Sequence, residues 1–154
     1  MTAKQAKPMP ISHQKDLRKG RLSLPNQIYH ITSTCKNRKP IFANFSYARM
    51  LIKSLKKSDD LNHTKTLAFI VMPDHLHWLL QLIDDASLAN VIKSIKSESA
   101  KKVGHPIWQY GYYDHAIRKE EDIQAVARYI VANPIRAGLV NKVGDYPHWD
   151  AIWL

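Results

Sequence analysis

The sequence predicts an α+β fold: an antiparallel sheet with helices packed against it and a further helix toward the C-terminus. Three observations lead there. Apolar runs with two-residue alternation are interleaved with stretches of helical spacing. Their order is β-α-β-β-α-β-α, the split βαβ pattern of ferredoxin-like sandwiches with one helix added. The chain of 154 residues is of a size to hold one hydrophobic core.

Each element has a local reason. Residues 1–24 mix Lys, Arg, Pro and Gln, have no sustained period and include one acid, Asp16, so they read as a flexible basic arm ahead of a single domain at 25–154. "QIYHITSTC" is rich in β-branched and aromatic residues and reads as the first strand, ended by the loop "KNRKP". In "FANFSYARMLIKSLKKSDD", Ala48, Leu51, Ile52 and Leu55 follow helical spacing, with Asn44 or Ser46 as cap.

"TKTLAFIVMPDHLHWLLQLID" contains two apolar runs separated by Pro73 and Asp74, a turn signal that makes it a strand pair. Strand alternation then puts His75, His77, Leu79 and Gln81 on one face and Leu76, Trp78, Leu80 and Leu82 on the other. "SLANVIKSIKSESAKKV" is an amphipathic helix with Leu88, Val91, Ile92 and Ile95 inward, Ser87 or Asp85 as cap, and a basic outer surface. "IWQYGYYDHAI" reads as the fourth strand. "KEEDIQAVARYIVANP" reads as a helix with three acids at its N-terminal dipole, ending by Pro134. The apolar tail residues Trp149, Ile152, Trp153 and Leu154 are suited to covering exposed core or meeting a partner.

Charge narrows the function. Lys and Arg number 23 against 13 Asp and Glu, a formal +10, which favours a polyanionic partner, nucleic acid first. The longest apolar run is too short to span a bilayer, and no amphipathic helix sets a bulky apolar face beside a wholly basic one, so a membrane partner is not expected. The single cysteine, Cys35, excludes an intrachain disulfide framework and fits a reducing cytoplasm.

The chemistry-bearing signal is the H-x-H pair. Two strand residues at i and i+2 are about 7 Å apart at Cα, near enough for both imidazoles to bind one metal. The same spacing also suits two buried imidazoles satisfied by neighbours, so a third ligand and a reactive group are needed. The last helix offers both. Its core stripe is Ile123, Val126, Ala127, Ile130 and Val131, and Tyr129 and Asn133 sit together at the stripe's edge, one turn apart. Tyr110, Tyr112 and Tyr113 are rival phenols whose strand setting favours packing or base stacking.

"YHITSTCKNRKPIF", "MPDHLHWLL", "WQYGYYDHAIRKEED" and "ARYIVANPIRAGLV" together resemble the REP-associated tyrosine transposases, relatives of the single-strand insertion-sequence transposases of the HUH nuclease group. The likeness covers about residues 20–142. It implies that His75 and His77 bind a divalent metal and that Tyr129 is a nucleophile forming a 5′-phosphotyrosine on single-stranded or hairpin DNA. It also sets Asn133 where related enzymes have a glutamine that completes the metal site. His115 is a second candidate for third ligand or for contact with the scissile phosphate. Imidazoles alone suit zinc, manganese or nickel, whereas the resemblance implies Mg²⁺ or Mn²⁺.

Lys93, Lys96, Arg118, Arg128 and Arg136 are candidate phosphate contacts. A monomer is favoured over a homodimer. A module that binds folded single strands without cutting, and a metal-dependent hydrolase using water, are the competing functional classes.

Overall fold

A computed structural model describes residues 26–118 and 122–153. The proposed arm at 1–24 and the acids Glu120 and Glu121 lie outside the described residues. The elements are β1 (Ile28–Thr34), α1 (Phe45–Asp60), β2 (Thr64–Met72), β3 (His75–Leu82), α2 (Leu88–Val103), β4 (Tyr113–Ala116), α3 (Ile123–Val131), α4 (Asn133–Arg136) and β5 (Trp149–Ala151). The sheet runs β4-β1-β3-β2-β5 and every described pairing is antiparallel. The first four strands have the expected split βαβ order, and β5 extends the sheet beyond β2.

The helix starts are set by side-chain caps. Asn44 Oδ1 accepts from Tyr47 N at 3.0 Å, Ser87 Oγ from Asn90 N at 3.3 Å, and Asp122 Oδ1 from Ala125 N at 3.1 Å. Of the two alternatives for each of the first two helices, Asn44 and Ser87 take the role. Gly104, at φ 100°, ends α2 in the left-handed conformation that a residue with a Cβ adopts at a cost.

The two faces of the sheet carry separate cores. On one, Leu76, Trp78, Leu80 and Leu82 of β3 meet Ala48, Leu51 and Leu55 of α1 and Leu88, Val91, Ile92 and Ile95 of α2. Trp78 is fully buried, and its indole N–H donates to Thr66 Oγ1 at 2.9 Å, so the large ring is buried without an orphaned donor. On the other face, Ile70 and Met72 of β2 and Leu79 of β3 meet Ala127, Ile130 and Val131 of α3. The sheet is therefore a middle layer between α1 with α2 and α3.

Three expectations need correction. The fourth strand is confined to Tyr113–Ala116, and Trp108 makes only an isolated bridge with Cys35. Gly111 at φ 78° breaks the extended run, and the Lys96 ammonium takes the Gln109 and Gly111 carbonyls as acceptors. The last long helix ends at Val131, and Asn133 opens a separate short helix, because Pro134 has no N–H to continue the ladder. The tail supplies a strand that the sequence did not signal, with Ala151 buried against β2. No helix among the described residues is long and apolar enough to cross a membrane.

Ile130 is completely buried where α3 meets the sheet. Ile130→Ala is expected to lower unfolding free energy by about 2–5 kcal/mol, read from urea denaturation at constant m-value.

Candidate functional site

The site begins with the register of three strands. In β1–β3 pairing Thr32 stands opposite His77 and Thr34 opposite His75, and in β1–β4 pairing Tyr113 stands opposite Thr32 and His115 opposite His30. Directly opposed residues share a face. His30, Thr32, His75, His77, Tyr113 and His115 thus project from one side of the sheet, the side on which α3 lies. The expectation that both imidazoles of the H-x-H pair face the same way agrees with their ring centroids, 4.9 Å apart with the planes at 88°.

Each imidazole of the pair has one nitrogen committed. His75 Nδ1 is 2.8 Å from Asp74 Oδ1, and Asp74 in turn accepts from Arg38 Nε at 3.1 Å. Partial burial works against the Asp74 charge, but the hydrogen bond and charge of His75 and the charge of Arg38 outweigh it and hold the carboxyl below its usual range. His77 Nδ1 lies 3.0 Å from both Thr32 Oγ1 and His30 Nε2. Both rings therefore direct Nε2 to any ligand, the arrangement in which a partner on the far nitrogen fixes tautomer and orientation.

Burial favours the neutral form of two of these imidazoles, His30 and His77. It pushes His30 down to about 4, with His115 adding to the effect. It also holds His77 well below its ordinary value, helped by the charges of His30, His75 and Arg136. Neutral imidazole is the form that coordinates a cation. If His77 presents a lone pair at Nε2, its proton is on Nδ1 and donates to His30 Nε2 or Thr32 Oγ1. His30 was missed at the sequence level because it lies 47 residues from His77 and only strand pairing joins them.

His115 is drawn to the same face, but one strand beyond β1, opposite His30 rather than beside the pair. Among the described residues no group of three or more His, Cys, Asp or Glu is arranged to hold an ion. The Tyr113 hydroxyl, on the Thr32–His77 row, is buried with no hydrogen-bond partner among the described residues. Burial, with the Asp114 charge second, raises its pKa, so this phenol keeps its proton.

Tyr129 sits on α3. The helix lands on Ile70 and Met72, which are opposite His77 and His75 in β2–β3 pairing, so it covers the sheet immediately beside the imidazoles. Ala127, Ile130 and Val131 turn inward, while Tyr129 is 59% exposed, outside the core and open to a substrate. Arg136 comes back from α4 so that its guanidinium carbon is 3.8 Å from the Tyr129 ring centroid. Its Nη2 also donates to the Tyr129 carbonyl at 2.7 Å. Asn133 is half-buried at the start of α4 and is not the i+4 neighbour of Tyr129 within one helix.

The remaining cationic candidates divide by layer. Lys93 and Lys96 are on α2, on the opposite side of the sheet from the histidines. Lys96 lies 5.8 Å from the Tyr112 ring centroid and 5.9 Å from that of Trp108 and is spent on loop carbonyls. Arg128 is 3.8 Å from Asp122 with both side chains exposed, and Arg118 is exposed just after β4. Cys35 is buried and its thiol pushed up to about 12, chiefly by that burial, so it is an idle thiol.

Comparison with known proteins places the chain among relatives. The family model described as "Transposase IS200 like" fits residues 23–133. A REP-associated tyrosine transposase of Escherichia coli K12 is 35% identical over 83 residues, which are 52% of this chain and 50% of the relative. The match thus spans about half the relative's length. A Haemophilus influenzae protein provisionally given the same name is 25% identical over 153 residues, covering 89% of this chain and 83% of its own. Among solved structures, a REP-associated tyrosine transposase bound to a REP hairpin superposes with TM-score 0.74 at 27% identity, over 84% of this chain and 79% of that one.

The buried neutral imidazole at position 30 has a stability signature. Its folded pKa is below its unfolded value, so as pH falls from 6.5 toward 4 the unfolded chain takes up a proton that the folded chain refuses. Wild-type stability in chelator-containing buffer should fall across that window, and His30→Gln should flatten the fall by up to about 3 kcal/mol in urea titrations at successive pH values.

Proposed function

The chain belongs to the IS200-like transposase family, and we propose that it is a tyrosine transposase that cuts and rejoins single-stranded DNA at hairpins, with Tyr129 as nucleophile and His75 and His77 as ligands of a divalent cation. The observation that carries this reading is the landing of α3 on Ile70 and Met72. It puts the helix that carries Tyr129 on the sheet face from which both imidazoles project, which supports this reading.

The step balances without ATP. The Tyr129 phenol gives up its proton, its oxygen forms a bond to the scissile phosphorus, and the bond from phosphorus to the 3′ oxygen breaks. The leaving 3′ oxygen takes a proton, so a 5′-phosphotyrosine and a free 3′-OH result. The phosphodiester's free energy is retained in the new ester, and the reverse attack by a 3′-OH rejoins the strand.

The residues fit a divalent cation. Both Nδ1 atoms are engaged by protein groups, both Nε2 atoms remain for the ion, and the burial that keeps His77 neutral leaves it the required lone pair. When bound, the ion supplies Lewis-acid contact to a non-bridging phosphate oxygen and offsets the charge of the transition state. His75 and His77 would hold Mg²⁺ or Mn²⁺, with the Asn133 amide oxygen the candidate third ligand.

The hairpin substrate is supported by the solved relative bound to a REP hairpin and by the formal charge of +10. Arg118 and Arg128 are the better candidates for phosphate contacts near the cut, because the sheet separates Lys93 and Lys96 from the histidine face and the Arg136 guanidinium is engaged by Tyr129.

A labelled hairpin oligonucleotide with a single-stranded flank, incubated with Mn²⁺ or Mg²⁺, should give a covalent adduct on a denaturing gel. Tyr129→Phe should abolish it, and His75→Ala or His77→Ala should slow its formation by about 100-fold or more. Excess EDTA should have the same effect as the histidine changes. Cleavage without an adduct would point instead to water as nucleophile, and tight binding without cleavage to a binding module.

A further inference from the structure

Tyr129 has a mechanical problem that its own helix does not solve. The residues that anchor α3 are Ala127, Ile130 and Val131, and the phenol stands outside their packing with 59% of its surface exposed. A ring so placed is free to exchange rotamers in solution. In-line attack on phosphorus requires the reacting oxygen to be held near one position, and fixing it at the moment of reaction costs rate.

The break after Val131 supplies a restraint. Pro134 cannot continue α3, so the chain turns at Ala132 and begins α4. That turn returns Arg136 to Tyr129, which it meets twice: the guanidinium carbon is 3.8 Å from the ring centroid, and Nη2 donates to the Tyr129 carbonyl oxygen at 2.7 Å. The second contact changes the meaning of the first. Anchored to the backbone of the residue it covers, the guanidinium moves with Tyr129 and stays on its ring. Arginine suits the task because its planar group stacks on an aromatic face while its edge still donates, and it stays charged at any working pH.

We propose that Arg136 is a positioning residue for Tyr129, a stacked clamp that holds the phenol ready for attack on the phosphate. The proposal rests on the reading of Tyr129 as nucleophile. It differs from a plain phosphate contact, in which Arg136 would contribute to DNA affinity and not to the rate once DNA is bound. The clamp sacrifices part of the guanidinium's freedom to bind DNA in return for an ordered nucleophile.

The test separates rate from affinity in the full-length protein. Single-turnover adduct formation is measured at saturating hairpin DNA with Mn²⁺, beside the hairpin Kd from anisotropy, for wild type, Tyr129→Phe, Arg136→Gln and Arg136→Lys. Arg136→Gln should slow the saturated rate by about tenfold or more while Kd rises by less than about threefold. Arg136→Lys, which keeps the charge and loses the planar stack, should recover only part of the rate. A second measurement needs no catalysis: in protein labelled with 3-fluorotyrosine, the Tyr129 ¹⁹F resonance, identified by its loss in Tyr129→Phe, should shift and narrow in Arg136→Gln.

An unchanged saturated rate, a loss confined to Kd, full recovery by lysine or an unmoved Tyr129 resonance would each overturn the clamp. Those results with Tyr129→Phe inactive would leave the nucleophile in place and remove only Arg136. An adduct that persists in Tyr129→Phe would remove the nucleophile itself and the clamp with it.

Discussion

The antiparallel register of β1 on β3 underlies both the fold and the site. Thr32 opposite His77 gives that imidazole a hydroxyl at 3.0 Å, and the same register places His30 where its Nε2 reaches His77 Nδ1. A slip of one residue would turn His75 and His77 into the α1–α2 core and bring Leu76 and Trp78 onto the site face. The cost of burying two imidazoles without partners and moving a large indole out of its core forbids the slip. Trp78 adds a further check, since its N–H finds Thr66 Oγ1 in the observed alignment.

The site face combines neutrality at the sheet with positive charge around it. Burial favours the neutral form of His30 and His77, while the Arg136 guanidinium lies over the ring of Tyr129. Asp74, the acid nearest the pair, is turned to His75 and Arg38 and spends its charge on orientation.

The layers also divide the basic residues between the two sides of the sheet. The α2 lysines face outward from the side of the sheet opposite the histidines, and Lys96 ties down the loop that precedes β4. On the histidine side, α3 and α4 bring Tyr129 and the Arg136 guanidinium together from a segment of a few residues interrupted by Pro134. The proline that disqualifies Asn133 as a simple helical neighbour of Tyr129 is the one that returns Arg136 to it.

Much of this protein is local in origin and so legible in the chain. Alternation in "HLHWLLQL" determined that both histidines share a face, Pro73–Asp74 determined the hairpin, and helical spacing determined which residues of α1, α2 and α3 enter a core, because each of these follows from the geometry of one element. Tertiary structure decided the rest. The short β4, the added β5, the His30 contact and the Arg136 stack depend on residues brought together across strands or around a turn, and neither period nor propensity encodes such meetings. The physical reason is range: side-chain alternation and helical stripes are settled within a few residues, whereas a hydrogen bond across 47 positions exists only after the sheet has closed.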